Sequence, residues 1–436
     1  MMRDLDRRGF AKWAAGAVGA LAIGSRRAQA ATQGFDPAPP QISDDATTVA
    51  RRAGRSGAPI VPITDAERLA RIEKARRLMA EHGIDALVLE PGSSLFYYTG
   101  VKWGLSERPF VAVIPARGEL AYVTPAFEEA RARELIRFSD DVRVWQEDES
   151  PYRLVAQILR DRGAGSGAVG VEERMRFFIV DGVRRELPQA TTVDAVPVTA
   201  GCRMIKSPAE IALMQHANDM TLAAYKAAFA SLVPGITQFE FKRHIEVAFQ
   251  KLGAPDGSAG AQFGKYSAYP HGSITPQKLQ EGDVVLVDGG CTIEGYHSDI
   301  TRTTVFGTPS ARQRDVWALE RRAQDAACKA AQIGASCESV DAAARKVITD
   351  AGFGPDYKVP GLPHRTGHGI GLDGHEWTNF VRGNTTKIQP GMCFSDEPMI
   401  ALYGEFGIRL EDCLYITEAG PKFFTTQSES IDTPFA

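Results

Sequence analysis

In the second half of this chain, acidic and imidazole side chains gather in four short stretches. In VVLVDGGCTIEGYHSDITRT, an apolar run over 284–287 ends at Asp288, and Asp299 follows with ten residues between them. An aspartate closing an apolar strand is costly unless it is paired or binds a cation. Capping of the turn would explain Asp288 alone nearly as well. Gly289, Gly290 and Gly295 make the connection and residues 296–305 return, so a hairpin would set Asp288 and Asp299 across from each other on one face. In LPHRTGHGIGLDGHE, His364, His368 and His375 fall close together among glycines 367, 369, 371 and 374. That much glycine argues against a helical zinc-protease motif and lets an extended chain approach a site closely. Glu397 precedes Pro398, which favours extended backbone. In IRLEDCLYIT, strand alternation puts Arg409 and Glu411 on one face, opposite Leu410. Taken singly, a core histidine or a cross-strand ion pair would explain each of these.

Taken together they suggest more. Asp288, Asp299, His368, Glu397 and Glu411 supply four carboxylates and one imidazole. Four carboxylates packed closely repel and push one another's pKa values up. A pair of divalent cations relieves this, and oxygen-rich ligation with one imidazole suits Mn(II), Co(II) or Zn(II). Two such ions about 3.5–4 Å apart can share a water and lower its pKa.

The order Asp, Asp, His, Glu, Glu resembles the creatinase/aminopeptidase P/prolidase metallopeptidases, the pita-bread or M24-type family. The matching stretches are SAYPHGSITPQKLQEGDVVLVDGG, GYHSDITRT, HRTGHGIGLDGHE, GMCFSDEP and GIRLEDCLYIT. The resemblance implies an α/β creatinase-like N-terminal domain followed by an α+β pita-bread catalytic domain. It implies metal ligation by Asp288, Asp299, His368, Glu397 and Glu411, with Asp299 and Glu411 bridging. Glu397 would also take the proton from the bridging water. His271 in YPHG and His375 would hold the peptide and stabilise the tetrahedral intermediate. Arg409 would orient Glu411 and its acidic neighbours. His364 matches the proline-specific branch, where it helps form the proline pocket. His82, His216, His244 and His297 match no functional position. Trp103, Glu107 and Arg108 lie in a region that approaches a partner's active site in related dimers, although an ordinary loop with a packed tryptophan explains them equally well.

The elements that must position these residues can be read outward from them. Thr64 and Glu67 form a capping-box pattern ahead of a helix ending at Gly83. Strand signals follow at 86–89, 95–98, 110–114 and 120–123, then at 142–145 and 169–172, with helices at 127–136 and 152–162. This alternation predicts a covered α/β sheet. Ser207, Pro208 and Glu210 open a second block with a long helix to about residue 232, and Thr237 with Glu240 caps another over 239–252. The domains read as a leader (1–30), an arm (31–62), an N-terminal domain (63–204) and a catalytic domain (205–436).

The leader carries Arg7 and Arg8, an apolar run over 13–23 and Ala28-Gln29-Ala30, the layout of a twin-arginine export signal. Export to a bacterial periplasm is therefore expected. The apolar run is too short to span a bilayer, and no other stretch reaches that length. The chain has 436 residues and a net charge of −4, of which the leader contributes six basic and two acidic residues. Such acidity argues against nucleic acid as a partner. The six cysteines include no Cys-x-x-Cys pair and read as mostly buried thiols.

The expected activity is thus hydrolysis of the Xaa-Pro bond of short peptides or dipeptides by a metal-bridging hydroxide. The cofactor would be two divalent ions, manganese first, with cobalt or zinc as alternatives, and the enzyme would be a homodimer. Relatives of this fold also hydrolyse phosphotriesters or act as lyases on small sulfur compounds, and fold alone does not separate these. A non-catalytic binding module is disfavoured because all five ligand positions are filled.

Overall fold

The computed structural model describes residues 60–435. The expected leader and nearly all of the arm lie outside them. Helix α1 (Asp65–His82) starts at Thr64, whose hydroxyl accepts from the Glu67 N–H, and stops at Gly83 with φ 66°. The Glu67 carboxylate does not complete the expected box. It accepts from Arg71 and from Ser207 Oγ, at 2.8 and 2.7 Å, which ties the first helix to the cap of the second half.

The N-terminal sheet contains β1 (Ala86–Leu89), β2 (Val111–Pro115), β3 (Ala121–Pro125), β4 (Val142–Trp145), β5 (Ala168–Val171) and β6 (Thr191–Asp194), in the order β4-β3-β2-β1-β5-β6. It is covered by α1 and by α2 (Ser93–Thr99), α3 (Glu129–Leu135), α4 (Pro151–Asp161), α5 (Phe177–Glu186) and α6 (Val196–Arg203). The segment expected as a strand at 95–98 is helix α2. Gly92 and Gly100 bracket it, and buried Arg68 and Arg71 donate to the Phe96 and Tyr97 carbonyls. Those donors come from α1, so local β-propensity lost to tertiary hydrogen bonding.

The second half repeats one plan: two helices, then strands. Helices α7 (Pro208–Phe229) and α8 (Gln238–Leu252) both carry complete capping boxes. They back an antiparallel sheet of β7 (Ser258–Phe263), β8 (Val284–Gly290) and β11 (Ile300–Val305), in which the 284–287 run is fully buried. The small pair β9 (Thr292–Ile293) and β10 (Tyr296–His297) interrupts the return. Helices α9 (Ala311–Ala330) and α10 (Cys337–Asp350) pack beside a second sheet. That sheet comprises β12 (Gly367–Gly369), β13 (Glu376–Phe380), β14 (Cys393–Asp396), β17 (Asp412–Thr417) and β18 (Gly420–Phe423), in the order β13-β12-β14-β17-β18. A hairpin of β15 (Met399–Leu402) and β16 (Phe406–Arg409) lies between β14 and β17 in sequence. All six cysteines are unpaired, and all but Cys328 are buried. No described helix is long and apolar enough to cross a membrane.

Candidate active site

Asp288 and Asp299 come from the first sheet, but not as direct partners. The β9–β10 excursion shifts the return, so Thr301 stands opposite Asp288 and Ile300 opposite Gly289. Asp299 precedes β11 on the side that Thr301 shares. Glycine is required at the bend: a Cβ on Gly290 would lie 2.0 Å from the Ser298 carbonyl.

His368 lies at the centre of β12, between two glycines. A Cβ on Gly367 would meet Ser395 O at 2.1 Å, and one on Gly369 would meet Glu376 O at 2.7 Å. Only glycine lets β12 run between its neighbours. The His368 amide donates to Ser395 Oγ at 2.9 Å, and its Nδ1 faces Gly369 O at 3.0 Å. Nδ1 therefore carries the proton, and Nε2 presents a lone pair. Nε2 lies 3.2 Å from Glu397 Oε1 and 3.7 Å from Asp299 Oδ2. Glu397 follows β14; its amide donates to Thr366 O at 2.9 Å, and Ser395 Oγ reaches its carboxylate.

Glu411 enters from the start of β17 and is 1% exposed. Its Oε2 and Asp288 Oδ1 both face Thr301 Oγ1, at 2.6 and 2.9 Å. Arg409 donates to the same hydroxyl at 3.0 Å, forms an ion pair with Asp288, and bonds Pro270 O at 2.9 Å. Its predicted orienting of Glu411 thus runs through Thr301, while its direct carboxylate partner is Asp288.

Electrostatics point to missing positive charge. Burial, then the charges of Asp288 and Glu397, pushes Asp299 well above the usual carboxylate range. Burial, then Asp299, Glu397 and Asp288, does the same to Glu411. Burial holds His368 down at about 4, which keeps it a neutral donor. Besides the set Asp299, His368 and His375, two sets of donor atoms are close enough to hold an ion: Asp288, Asp299 and Glu411 in one, His368, Glu397 and Glu411 in the other. These two share Glu411, as a two-ion centre requires, and a mixed carboxylate–imidazole donor set fits borderline divalent ions.

All nine predicted site residues line one cavity of about 640 Å³. His364 turns Nδ1 to Arg365 O at 2.7 Å and leaves a buried Nε2 without a partner. His375 stacks against His368 with ring centroids 3.9 Å apart. Arg365 Nη2 faces His375 Nδ1 at 3.0 Å. A guanidinium can only donate, so Nδ1 accepts and Nε2 carries the proton. Burial, then His368 and Arg365, lowers the His375 pKa to about 4. His271 is exposed at the rim. Trp103 stacks on Phe110 at 4.4 Å, and Arg108 pairs with Glu107 and Glu147. His297 donates its amide to Gly371 O at 2.8 Å.

Several contributors escaped the sequence reading. Thr301 looks like an ordinary strand threonine, and Arg365 like a loop cation. Asp341 and Arg345 on α10 hold the 362–366 segment: Asp341 accepts from Thr366 N and Oγ1 at 3.1 and 2.8 Å, and Arg345 donates to Leu362 O and His364 O. Their four-residue spacing is an i,i+4 pair that any solvated helix could show.

Comparison with known proteins shows the family and the fold. Residues 212–418 match metallopeptidase family M24, and residues 71–205 match the creatinase/prolidase N-terminal domain. The chain is 32% identical to an Xaa-Pro dipeptidase of Lactobacillus helveticus, over 81% of this chain and 96% of that one. It resembles the crystal structure of dipeptidase PepE from Mycobacterium ulcerans, with a TM-score of 0.78, 33% identity, and coverage of 85% and 98%. A recombinant prolidase from Thermococcus sibiricus gives a TM-score of 0.76 at 29% identity, covering 84% of this chain and 98% of its own.

Proposed function

The chain belongs to metallopeptidase family M24, with a creatinase-type N-terminal domain and a pita-bread domain, and we propose that it hydrolyses the bond before proline in short peptides or dipeptides. The observation that carries this reading is the pair of donor sets sharing Glu411, beside a buried His364 Nε2 that has no hydrogen-bond partner.

Asp288, Asp299, His368, Glu397 and Glu411 would hold two divalent ions, manganese first, cobalt or zinc otherwise. When bound, the ions supply a water acidic enough to ionise near neutral pH and polarise the scissile carbonyl. Glu397, at the edge of the cluster, accepts the proton of the attacking water and passes it to the departing proline nitrogen. His375, protonated on Nε2, donates to the carbonyl oxygen as negative charge develops there. His271 holds the peptide from the rim. His364 forms part of the pocket for the proline ring, with its unpartnered Nε2 facing the cavity. Arg409 pairs with Asp288 and, through Thr301, fixes Glu411.

The deciding experiment measures products from Ala-Pro and Ala-Pro-Ala with manganese, cobalt or zinc added, beside a phosphotriester and a sulfur-lyase substrate. Release of proline or of Pro-Ala supports the reading and separates dipeptidase from aminopeptidase. Peptides left intact with every metal, and turnover of either other substrate, would sink it.

Export by the twin-arginine route and homodimer formation belong to the same proposal. Arg7 and Arg8 motivate the first; cell fractionation of an R7K/R8K variant tests it, because retention in the cytoplasm is expected. Sedimentation of the full chain tests the second.

A further inference from the structure

The loop carrying His375 is held from outside the pita-bread domain. Glu376, the next residue, has a side chain only 5% exposed, and its carboxylate is shared by Arg203, Lys206 and the Asp373 amide. Lys206 Nζ lies 3.0 Å from Oε2, and the Asp373 N–H lies 3.1 Å from Oε1. Arg203, the last residue of α6, also pairs with Asp373. Asp373 accepts from Ser93 Oγ at 2.7 Å and pairs with Arg174 at 3.0 Å. Arg174 further donates to the His375 carbonyl at 3.0 Å. Gly371 opens the loop, and a Cβ there would sit 2.8 Å from both Glu376 Oε2 and Lys206 Cε. The chain is therefore shaped to admit this cluster.

The consequence falls on the site. Glu376 stands opposite Gly369 across the β12–β13 ladder, next to His368. His375 is exposed and packing alone does not fix it. Ser93, Arg174 and Arg203 all precede the catalytic domain in sequence, yet they close on the 371–376 segment. Arg174, Arg203, Asp373 and Glu376 wall a second cavity of about 280 Å³, which shares Arg365 and His375 with the metal pocket.

We propose that Arg203 and Glu376, with Lys206 and Asp373, form an interdomain clasp that positions His375 for transition-state stabilisation. These are positioning residues, and the N-terminal domain thereby takes part in the chemistry of its own chain. The inference rests on the peptidase reading for the role of His375. The clasp itself does not depend on which substrate is turned over.

The test compares R203M, R203K and R143M in the full metal-loaded chain, with Ala-Pro as substrate. Arg143, on the edge strand β4 of the N-terminal sheet, pairs with Asp141 and Asp161 and serves as a stability control. A small misplacement of an oxyanion donor costs on the order of 10- to 100-fold in rate. R203M should lose that much kcat, with KM changed by less than about threefold and metal content as in the wild type. R203K should recover most of kcat, and R143M should keep it at a similar loss of melting temperature. Nitrogen-15 spectra of the imidazoles should show the single Nε2–H tautomer of His375 in the wild type and a mixture in R203M. If R203M behaves like R143M, or if it loses metal instead, the clasp does not act on His375. An unchanged His375 spectrum overturns the inference whatever the activity. A wild type inactive on Ala-Pro would instead count against the peptidase reading. Should R203M not fold, S93A removes a single bond to Asp373 and carries the same comparison with a smaller effect.

Discussion

The hydroxyl of Thr301 lies 2.6 Å from Glu411 Oε2, at an isolated bridge where the first catalytic sheet meets the second. The same oxygen faces Asp288 and receives Arg409, so one small side chain aligns both carboxylates. A hydroxyl has one proton, so it donates to one acid at a time while accepting from the guanidinium. Thr301→Val keeps the shape and removes this link. Outer partners of metal ligands are typically worth about 10- to 100-fold in affinity. Calorimetric titration with manganese should show a loss of that size in T301V, with the fold unchanged by circular dichroism. Equal affinity would show that the hydroxyl is a bystander.

Glu397→Gln should abolish hydrolysis while leaving the fold intact. The amide keeps an oxygen for the Ser395 hydroxyl but cannot accept a proton. General-base loss costs about 10²- to 10⁴-fold. The comparison is kcat against the thermal midpoint: a collapse of the first without the second is expected. Wild-type turnover would remove Glu397 from the mechanism.

Metal binding should release protons. Burial and mutual repulsion hold Asp299 and Glu411 above the usual carboxylate range in the metal-free chain, whereas His368 is already neutral. Cation binding must therefore displace carboxyl protons rather than an imidazolium proton. Calorimetry in two buffers of different ionisation heat measures the number released. Zero release near neutral pH would contradict the crowding of these acids.

The clasp should leave a mark on acid stability. Although burial alone would raise it, Lys206 and Arg203 bring Glu376 down to about 2. A carboxyl depressed in the folded state stabilises fully above its unfolded pKa, and that contribution is lost as pH falls toward the folded value. The stability gap between wild type and E376Q should thus be widest above about pH 5 and narrow as the pH drops toward about 3. Denaturant unfolding across that range tests it. A constant gap would mean that the ion pair contributes nothing through its charge.

Much of the fold was legible because its signals are local. The capping boxes at Ser207 and Thr237 satisfy amides within three residues, so sequence spacing suffices. The segment at 95–98 was misread because its decisive partners, Arg68 and Arg71, sit on another helix. Asp288 and Asp299 were rightly placed near each other but in the wrong register, because a two-strand excursion cannot be counted from glycines alone.

The ligand types also came from the sequence by itself. Four carboxylates, one imidazole and the glycines around His368 need no coordinates to suggest a cation centre. Tertiary structure alone decided how that centre is held. It set Thr301 between Asp288 and Glu411, gave Arg409 to Asp288, turned Arg365 onto His375, and closed Arg203 over Glu376. The difference has a physical cause. Ligand identity is a property of side-chain chemistry, which the sequence states outright. Orientation depends on hydrogen bonds between residues up to a hundred or more positions apart, and only the folded chain brings those together.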